Sequence, residues 1–296
     1  MPERPSWFDP EAFPVESRWL GLDGHCLHYV DEGSGPTLLM LHGNPTWSFL
    51  YRRLVAGLRD GFRCVALDYP GFGLSAAAPG YRFTVAEHSE VVRRFVEALD
   101  LSEVTAIVQD WGGPIGMGAA VADPDRYAGF VIGNTYAWPS LSPDKALLSE
   151  LMGNRLLGGL LNQRLNLFVG RMMPFLLQRQ LSDAEAAMYR GPFPTPASRE
   201  PVRVLPREIR TAQPFLARVE EALPLVTDKP TLLVWGDKDI AFKQPERRRW
   251  QAMLTRRRDH TLRGAGHFWQ DDAGEEAARI IRDWFAEGLK EGPDGS

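Results

Sequence analysis

The 296-residue sequence has few cysteines and no long apolar run, and each shortage argues against a class of protein. Two cysteines, Cys26 and Cys64, do not indicate a disulfide framework of the kind that stabilises small secreted domains, and we expect buried free thiols. No uninterrupted apolar stretch approaches the roughly 20 residues that span a membrane. Prolines and charges interrupt every apolar stretch of the first thirty residues, which predicts no signal peptide, a cytoplasmic location and no membrane partner.

A strong positive charge is also lacking, since the formal net charge is -4 and the isoelectric point is near 5.9. The two basic runs, at 247–249 and 256–259, fall in helix-like or turn contexts. A phosphate backbone would not be attracted to such a chain, so we expect no nucleic-acid partner. Histidines, cysteines and carboxylates show no metal-site spacing, which predicts no metal.

Glycine-rich runs occur but are weak as nucleotide-binding signals. "GGPIGMG" at 112–118 follows an apolar run and opens a helix-like segment, yet Asp110 lies at the start of its turn and would repel a pyrophosphate. "PGFGLS" at 70–75 carries one G-x-G pattern, which is common in proteins of every kind. We therefore predict no nucleotide and no other cofactor.

Short apolar runs alternate with segments of helical spacing along most of the chain. An alternating pair near residues 16–33 predicts a hairpin, and five later runs ("TLLMLHG", "FRCVALDYPG", "VTAIVQD", "FVIGNT" and "TLLVWGD") read as strands buried on both faces. This alternation predicts an α/β fold with a mostly parallel central sheet and helices on both faces. Ligands bind such sheets beyond the carboxyl ends of the strands.

The alternation stops after the sixth strand, in a segment rich in leucine and methionine. Its amphipathic spacing and lack of β-branched clusters predict an all-helical cap over residues 138–225, and the strand pattern resumes at "KPTLLVWGDKD". We therefore predict a core formed by 1–137 and 226–296. The same apolar segment could instead be an interface, so a homo-oligomer stays open.

Four predicted strand ends carry polar side chains that could meet at one edge of the sheet. In chain order they are "LHGNPTW" at 41–47, "VQDWGG" at 108–113, "GDKD" at 236–239 and "GAGHFWQDD" at 264–272. The order nucleophile, acid, histidine is that of the α/β-hydrolase fold, with Asp110, Asp239 and His267 in those places. No G-x-S-x-G occurs, which excludes a serine hydrolase of that type.

A carboxylate at the nucleophile position indicates alkyl transfer. An aspartate is already ionised at neutral pH, so Asp110 can attack an sp³ carbon without a base, and an enzyme ester forms. His267 would then activate water against the ester while Asp239 orients the imidazole. The indole N–H of Trp111 and the amide of Asn44 are uncharged donors that could bind an anionic leaving group such as halide.

Each assignment has a structural alternative. Asp110 could be a helix N-cap, Trp111 could be an ordinary core side chain, and Asn44 could cap the helix that starts near "PTWSF". Asp237 competes with Asp239 for the acid position. We favour the catalytic interpretations because the four sites occur together in order.

At these residues the chain resembles the haloalkane dehalogenases, a family of the α/β-hydrolase fold. The resemblance rests on "HGNPTW", "QDWGG", "GHFWQDD" and "ALDYPGFGLSAAAPGYRFT" and covers the whole core. It implies Asp110 as nucleophile, Trp111 and Asn44 as halide ligands, Asp239 and His267 as the acid and base, a halogenated alkane and water as substrates, and no cofactor. With Asn44 and an acid after the seventh strand, the chain is most similar to the third subfamily.

Two other functions compete with hydrolytic dehalogenation. An epoxide hydrolase shares the fold and the aspartate, but its cap supplies two tyrosines, whereas this segment offers Tyr189 and, at its edge, Tyr136. The residue before the nucleophile is Gln109, where epoxide hydrolases usually have histidine. The third candidate is a non-catalytic ligand-binding protein of the same fold, which would typically have lost one of the three catalytic residues.

Overall fold

A single mixed sheet of eight strands forms the centre of the computed structural model, which describes residues 4–140 and 143–288. The strand order is β1-β2-β4-β3-β5-β6-β7-β8; β2 runs antiparallel to both of its neighbours, and all other pairs are parallel. The strands are β1 Ser17–Leu22, β2 His25–Glu32, β3 Thr37–Leu41, β4 Arg63–Leu67, β5 Val104–Asp110, β6 Tyr127–Thr135, β7 Thr231–Gly236 and β8 Arg257–Leu262.

Helices cover both faces of this sheet. They are α1 Arg52–Leu58, α2 Val85–Ala98, α3 Gly112–Ala122, α4 Pro143–Gly153, α5 Asp183–Arg190, α6 Glu200–Thr211, α7 Gln213–Ala222, α8 Gln244–Met253, α9 Trp269–Asp272 and α10 Gly274–Ala286. Short 3₁₀ turns occupy Ser48–Tyr51, Pro124–Arg126, Met173–Leu176 and Leu223–Leu225, and π-helical turns occupy Gly159–Arg164 and Phe168–Met172.

The buried side chains form two clusters, one on each side of the sheet. Helices α2 and α3 contribute Phe95 and Ile115 to one cluster, and α1 and α10 contribute Leu54 and Ile281 to the other. Strand β5, the "VTAIVQD" run, is buried along its whole length because both of its faces are covered. The predicted α/β class, with helices on both faces of a mostly parallel sheet, is confirmed.

All regular structure between β6 and β7 is helical in the described part of this segment, and it comprises α4 to α7, the two π turns and the 3₁₀ turns Met173–Leu176 and Leu223–Leu225. The predicted limits of the cap, 138–225, stay a prediction, and residues 141–142 of it lie outside the described residues. So do 1–3 and 289–296 of the predicted core.

Three smaller expectations concern the rest of the chain. Both cysteines are free, with Cys64 buried and Cys26 partly exposed. Within the described ranges, no helix combines the length and hydropathy of a membrane span. Residues 256–259 do not form the turn that the sequence indicated, since most of them lie in β8, the edge strand.

Candidate active site

Asp110 is the last residue of β5 and lies in a sharp turn that leads directly into α3. Its φ of 51° is in the left-handed region, where a non-glycine side chain is strained, and such strain is common at functional sites. The turn packs tightly against the end of β3, and a Cβ on Gly112 would collide with the carbonyl oxygen of Leu41. The local geometry therefore projects the carboxylate beyond the carboxyl edge of the sheet.

Backbone donors hold the carboxylate of Asp110. Its Oδ2 accepts a hydrogen bond of 2.8 Å from the backbone N–H of Asn44, and the backbone N–H of Trp111 also donates to the carboxylate. Burial raises the pKa of Asp110, while the charge of His267 and these two hydrogen bonds oppose the rise. The side chain makes no N-cap hydrogen bond at α3, whose cap residue is Trp111.

His267 faces Asp110 from the loop that follows β8. Its Nδ1 lies 3.0 Å from Oδ2 of Asp239, and its Nε2 lies 3.9 Å from Oδ1 of Asp110. Burial lowers the pKa of the imidazole, but the neighbouring carboxylates of Asp239 and Asp110 outweigh it, so the net pKa is raised above 6.5. Asp237 is exposed and accepts from the backbone N–H of Gly264 instead.

Asn44 and Trp111 line the same cavity as the carboxylate. The side chain of Asn44 does not cap the following helix; its Nδ2 donates to the carbonyl of Val202 in α6 at 3.3 Å, which leaves one amide N–H for a ligand. Trp111 is 5% exposed and packs edge-on against Tyr136, with ring centroids 5.9 Å apart. The indole is thus both a core side chain and a wall of the cavity.

The cavity has a volume of about 290 Å³ and lies between the sheet edge and the helical segment. Its walls are largely apolar, and the apolar lining side chains that come from that segment are Leu148, Met152, Phe168, Met172, Leu176, Pro206 and Ile209. A cavity near the lower end of the usual range for ligand sites suits a small substrate. An apolar wall also strengthens electrostatic interactions at the carboxylate, because water is excluded.

Comparison with known proteins identifies the family of this chain. A family model described as "alpha/beta hydrolase fold" matches residues 36–273. The chain is 42% identical to haloalkane dehalogenase 2 of Mycobacterium tuberculosis, over 94% of this chain and 97% of the relative. The chain belongs to the haloalkane dehalogenases, a family of the α/β-hydrolase fold. Enzymes of this family are hydrolases that act on carbon–halide bonds.

The chain is also similar to a solved structure and to a relative with a different named activity. The structure of the haloalkane dehalogenase DatA from Agrobacterium tumefaciens superposes with a TM-score of 0.84, at 25% identity, over 92% of this chain and 97% of that one. A cis-3-alkyl-4-alkyloxetan-2-one decarboxylase of Shewanella oneidensis is 32% identical over 93% of this chain and 89% of the relative. Dehalogenases thus have a relative with a different named activity.

Asn134 has a role that our sequence analysis missed. It is the penultimate residue of β6 and lies in the left-handed region, with a φ of 44°, and its Nδ2 donates to Oδ2 of Asp239 at 2.9 Å. Its Oδ1 accepts from the backbone of Gly236 at 2.8 Å, so the amide joins β6 to the end of β7. The available signal was its place at a strand end adjacent to the nucleophile strand.

Gln109 was also missed as a site residue. It is fully buried, its Nε2 donates to the carbonyl oxygen of His267 at 3.0 Å, and the same atom lies 3.1 Å from the imidazole Nε2. An N–H donor at Nε2 favours the neutral tautomer whose Nδ1–H points to Asp239. Side-chain direction across 158 residues of sequence separation could not be read from the pattern.

The two tyrosines weighed for an epoxide hydrolase lie in different places. Tyr136 lines the cavity, whereas Tyr189 is buried in a cluster with Arg52 and Asp271, where its hydroxyl donates to the Asp271 carboxylate. Only one of the pair therefore faces Asp110.

His42 binds the Gly43 carbonyl and the Tyr69 N–H through its two nitrogens, and burial lowers its pKa to about 4, which fits a structural role.

Proposed function

We propose that the protein hydrolyses haloalkanes to alcohol and halide through a covalent ester on Asp110. The observation that carries the proposal is a buried carboxylate fixed by two backbone donors and facing a histidine that is paired with a second carboxylate. The substrate is a small halogenated alkane, and water is the second reactant. A cytoplasmic location and any oligomer stay predictions.

In the first step, a carboxylate oxygen of Asp110 attacks the carbon that bears the halogen. The carbon–oxygen bond forms as the carbon–halogen bond breaks, and the electron pair leaves with halide. Backbone hydrogen bonds fix the carboxylate before substrate binds, so little reorganisation is needed. The apolar cavity disfavours the isolated charge, as the raised pKa indicates, and attack disperses that charge.

In the second step, His267 takes a proton from water, and the water oxygen attacks the ester carbonyl. The 3.9 Å between the imidazole Nε2 and Asp110 Oδ1 exceeds direct hydrogen bonding, so the imidazole lies beside the carboxylate with its Nε2 not bonded to it. The N–H groups of Asn44 and Trp111 already donate to the carboxylate, so they stabilise the tetrahedral oxyanion. Asp239 stabilises the imidazolium, which returns its proton to the departing alkoxide, and the carboxylic acid left on Asp110 loses its proton to solvent.

Asn44 and Trp111 bind the departing halide through side-chain N–H groups. Replacing either residue by a side chain without a donor, Asn44→Leu or Trp111→Phe, should lower the bromide-release rate on the order of 10²-fold, by analogy with the loss of one oxyanion donor. Rapid-mixing measurement of the first turnover isolates this step. Unchanged first-turnover rates in both variants would exclude the halide role.

The test of the function is halide release from brominated and chlorinated alkanes, run beside hydrolysis of styrene oxide. We expect bromide release by the unmodified protein and none by Asp110→Ala. Asp237→Ala is the matched control, because this carboxylate is exposed and touches neither His267 nor the cavity. Diol formation without halide would instead identify an epoxide hydrolase, and no product in either assay would favour a binding protein.

A second candidate is opening of an alkyl-substituted oxetan-2-one, and the 32% identical decarboxylase supports it. Attack by Asp110 on the sp³ ring carbon would expel the ring oxygen as a carboxylate; loss of carbon dioxide from that carboxylate would then expel the Asp110 carboxylate from the neighbouring carbon and leave an alkene. Like halide, that leaving group is an anion that needs no proton, so a cavity with neutral donors suits both. Carbon dioxide release from a synthetic oxetan-2-one, measured in the unmodified protein and in Asp110→Ala, distinguishes this reaction from dehalogenation.

A further inference from the structure

The wall of the cavity carries one ammonium group that the proposed mechanism does not use. Lys145, in α4, lines the cavity beside Ser140, and its side chain is 18% exposed. Its Nζ donates to Ser140 Oγ at 2.9 Å and to Glu246 Oε1 at 2.8 Å. An ammonium has three N–H donors, so among the described residues these acceptors leave one donor unused.

An aromatic platform joins this ammonium to the reacting groups. Lys145 Nζ lies 5.7 Å from the ring of Tyr136 and 5.8 Å from that of Phe242, and the two rings stack with centroids 5.6 Å apart. Tyr136 also contacts Trp111, and Phe242 contacts His267, with ring centroids 5.9 and 5.7 Å apart. One aromatic ring therefore lies between the ammonium of Lys145 and each of Trp111 and His267, the side chains beside the Asp110 carboxylate.

Ser140 supplies a second donor at the same end of the cavity. Its oxygen accepts from Lys145, which leaves the hydroxyl hydrogen free to rotate toward a ligand. Most other lining side chains are apolar, so an oxygen atom of a bound molecule finds partners at two places: near the nucleophile and at this distal pair. A purely hydrocarbon tail would leave both distal donors without an acceptor, and unsatisfied donors shielded from water cost free energy.

We propose that Lys145 and Ser140 select substrates that carry an uncharged oxygen acceptor at the end remote from the reacting carbon. A hydroxyl, ether or carbonyl oxygen meets this requirement. A carboxylate fits less well, because Glu246 already neutralises the ammonium at 2.8 Å and would repel a second anion. The inference names the substrate class within the proposed function and rests on it.

The experiment compares 6-bromohexan-1-ol with 1-bromohexane, which have the same reacting end. The measured quantity is the ratio of kcat/KM for the alcohol to kcat/KM for the alkane. We expect Lys145→Met, which keeps the length and the apolar stem, to lower this ratio about tenfold, the usual effect of losing a hydrogen bond from a charged donor. Ser140→Ala should lower it less, and Lys229→Met, remote from the cavity lining, should leave it unchanged.

A third substrate, 6-bromohexanoate, tests the expected charge preference. The unmodified protein should prefer the alcohol to the carboxylate, and Glu246→Gln should reduce that preference because the repelling charge is removed. An equal ratio of alcohol to alkane in the unmodified protein and in Lys145→Met would overturn the proposal. A preference for 6-bromohexanoate over the alcohol would overturn the uncharged class.

Binding measurements separate this proposal from the proposed function. In the Asp110→Ala background no ester forms, so dissociation constants of 6-bromohexan-1-ol and 1-bromohexane can be measured by calorimetry with Lys145 present or replaced by Met. A tenfold change in their ratio supports the distal donors even if no halide is released by the unmodified protein. An unchanged ratio rejects the distal donors even if halide release is fast.

Discussion

At the scale of single residues, the proposed mechanism assigns Asp110 and His267 to different steps, and substitution should separate those steps. In the proposed mechanism His267 activates water and has no part in the attack on carbon. His267→Phe should therefore release about one equivalent of halide and then stop, with the alkyl group bound to Asp110. Intact-mass measurement after incubation with 1-bromohexane should show the added alkyl group, and Asp110→Ala should show none. Continued turnover by His267→Phe would contradict the assignment.

The pKa shifts of the pair predict different pH limits for the two steps. The pKa of Asp110 is raised by burial, and attack requires the ionised form. The rate of the first step is therefore at its maximum above that pKa and falls as pH falls through it. The pKa of His267 is raised, net of burial, by Asp239 and Asp110, and water activation requires the neutral form, so the second step is lost as pH falls through this pKa.

The consequence can be measured by rapid-quench kinetics over a range of pH. Alkylation neutralises Asp110, which removes one of the two charges that raise the His267 pKa, but Asp239 remains. We expect ester hydrolysis to fail at higher pH than the halide burst, with ester accumulating between the two limits. Loss of burst and turnover at one common pH would contradict this order.

The sequence identified candidate side chains better than their partners. Asp110, Asp239 and His267 could be proposed because each follows a strand or strand-like run, and parallel strand ends meet at one edge. Asn134, Gln109 and Lys145 could not, since their contacts depend on side-chain direction across loops and between helices. Lys145 meets Glu246 across 101 residues of sequence, a pairing that no local pattern indicates.

At the scale of elements, the close packing of the turn between β5 and α3 makes Gly112 indispensable. A Cβ at this position would meet the Leu41 carbonyl oxygen and lie 3.1 Å from that of His42, and backbone atoms cannot move aside cheaply. Gly112→Ala should lower the free energy of unfolding by about 1–3 kcal/mol or more and displace the neighbouring Asp110. Urea unfolding and bromide release measure the two effects.

Gly170→Ala is the matched control for this prediction. A Cβ there would approach nothing closer than the Asn166 side chain at 3.9 Å, which is ordinary contact. In a helical turn, alanine should stabilise by up to about 1 kcal/mol. Equal unfolding midpoints for the two variants would show that the turn tolerates a side chain at Gly112.

Elements differed in how far the sequence could predict them. The apolar run of β5 identified a strand because burial on both faces leaves a continuous pattern. Strand β8, "RRDHTL", is an edge strand with mostly half-buried side chains, so its charged residues suggested a turn at 256–259. The π turns at Gly159–Arg164 and Phe168–Met172 have no distinct periodicity from which they could be foreseen.

At the scale of the whole molecule, the carboxylate of Asp272 joins the helical segment to the loop that carries His267. Asp272 accepts from the backbone N–H groups of Gln178 and Arg179 through Oδ1, at 2.9 and 3.1 Å, and from that of Gly266 through Oδ2, at 2.8 Å. Gly266 precedes His267, whose own N–H donates to the carbonyl of Leu176, a residue of the cavity wall. The position of the histidine and the shape of the cavity are thereby coupled.

Asp272→Ala should consequently affect both stability and catalysis. Loss of three hydrogen bonds to a charged acceptor should cost about 2–3 kcal/mol and lower Tm on the order of 5 °C. Because the Leu176 wall and the His267 loop are released together, kcat for 1-bromohexane should fall and KM should rise at temperatures well below Tm. Asp283→Ala, which removes an exposed carboxylate paired with Arg279, should change neither constant. If Asp272→Ala lowered Tm but kept both constants, the carboxylate would stabilise the fold without positioning the site.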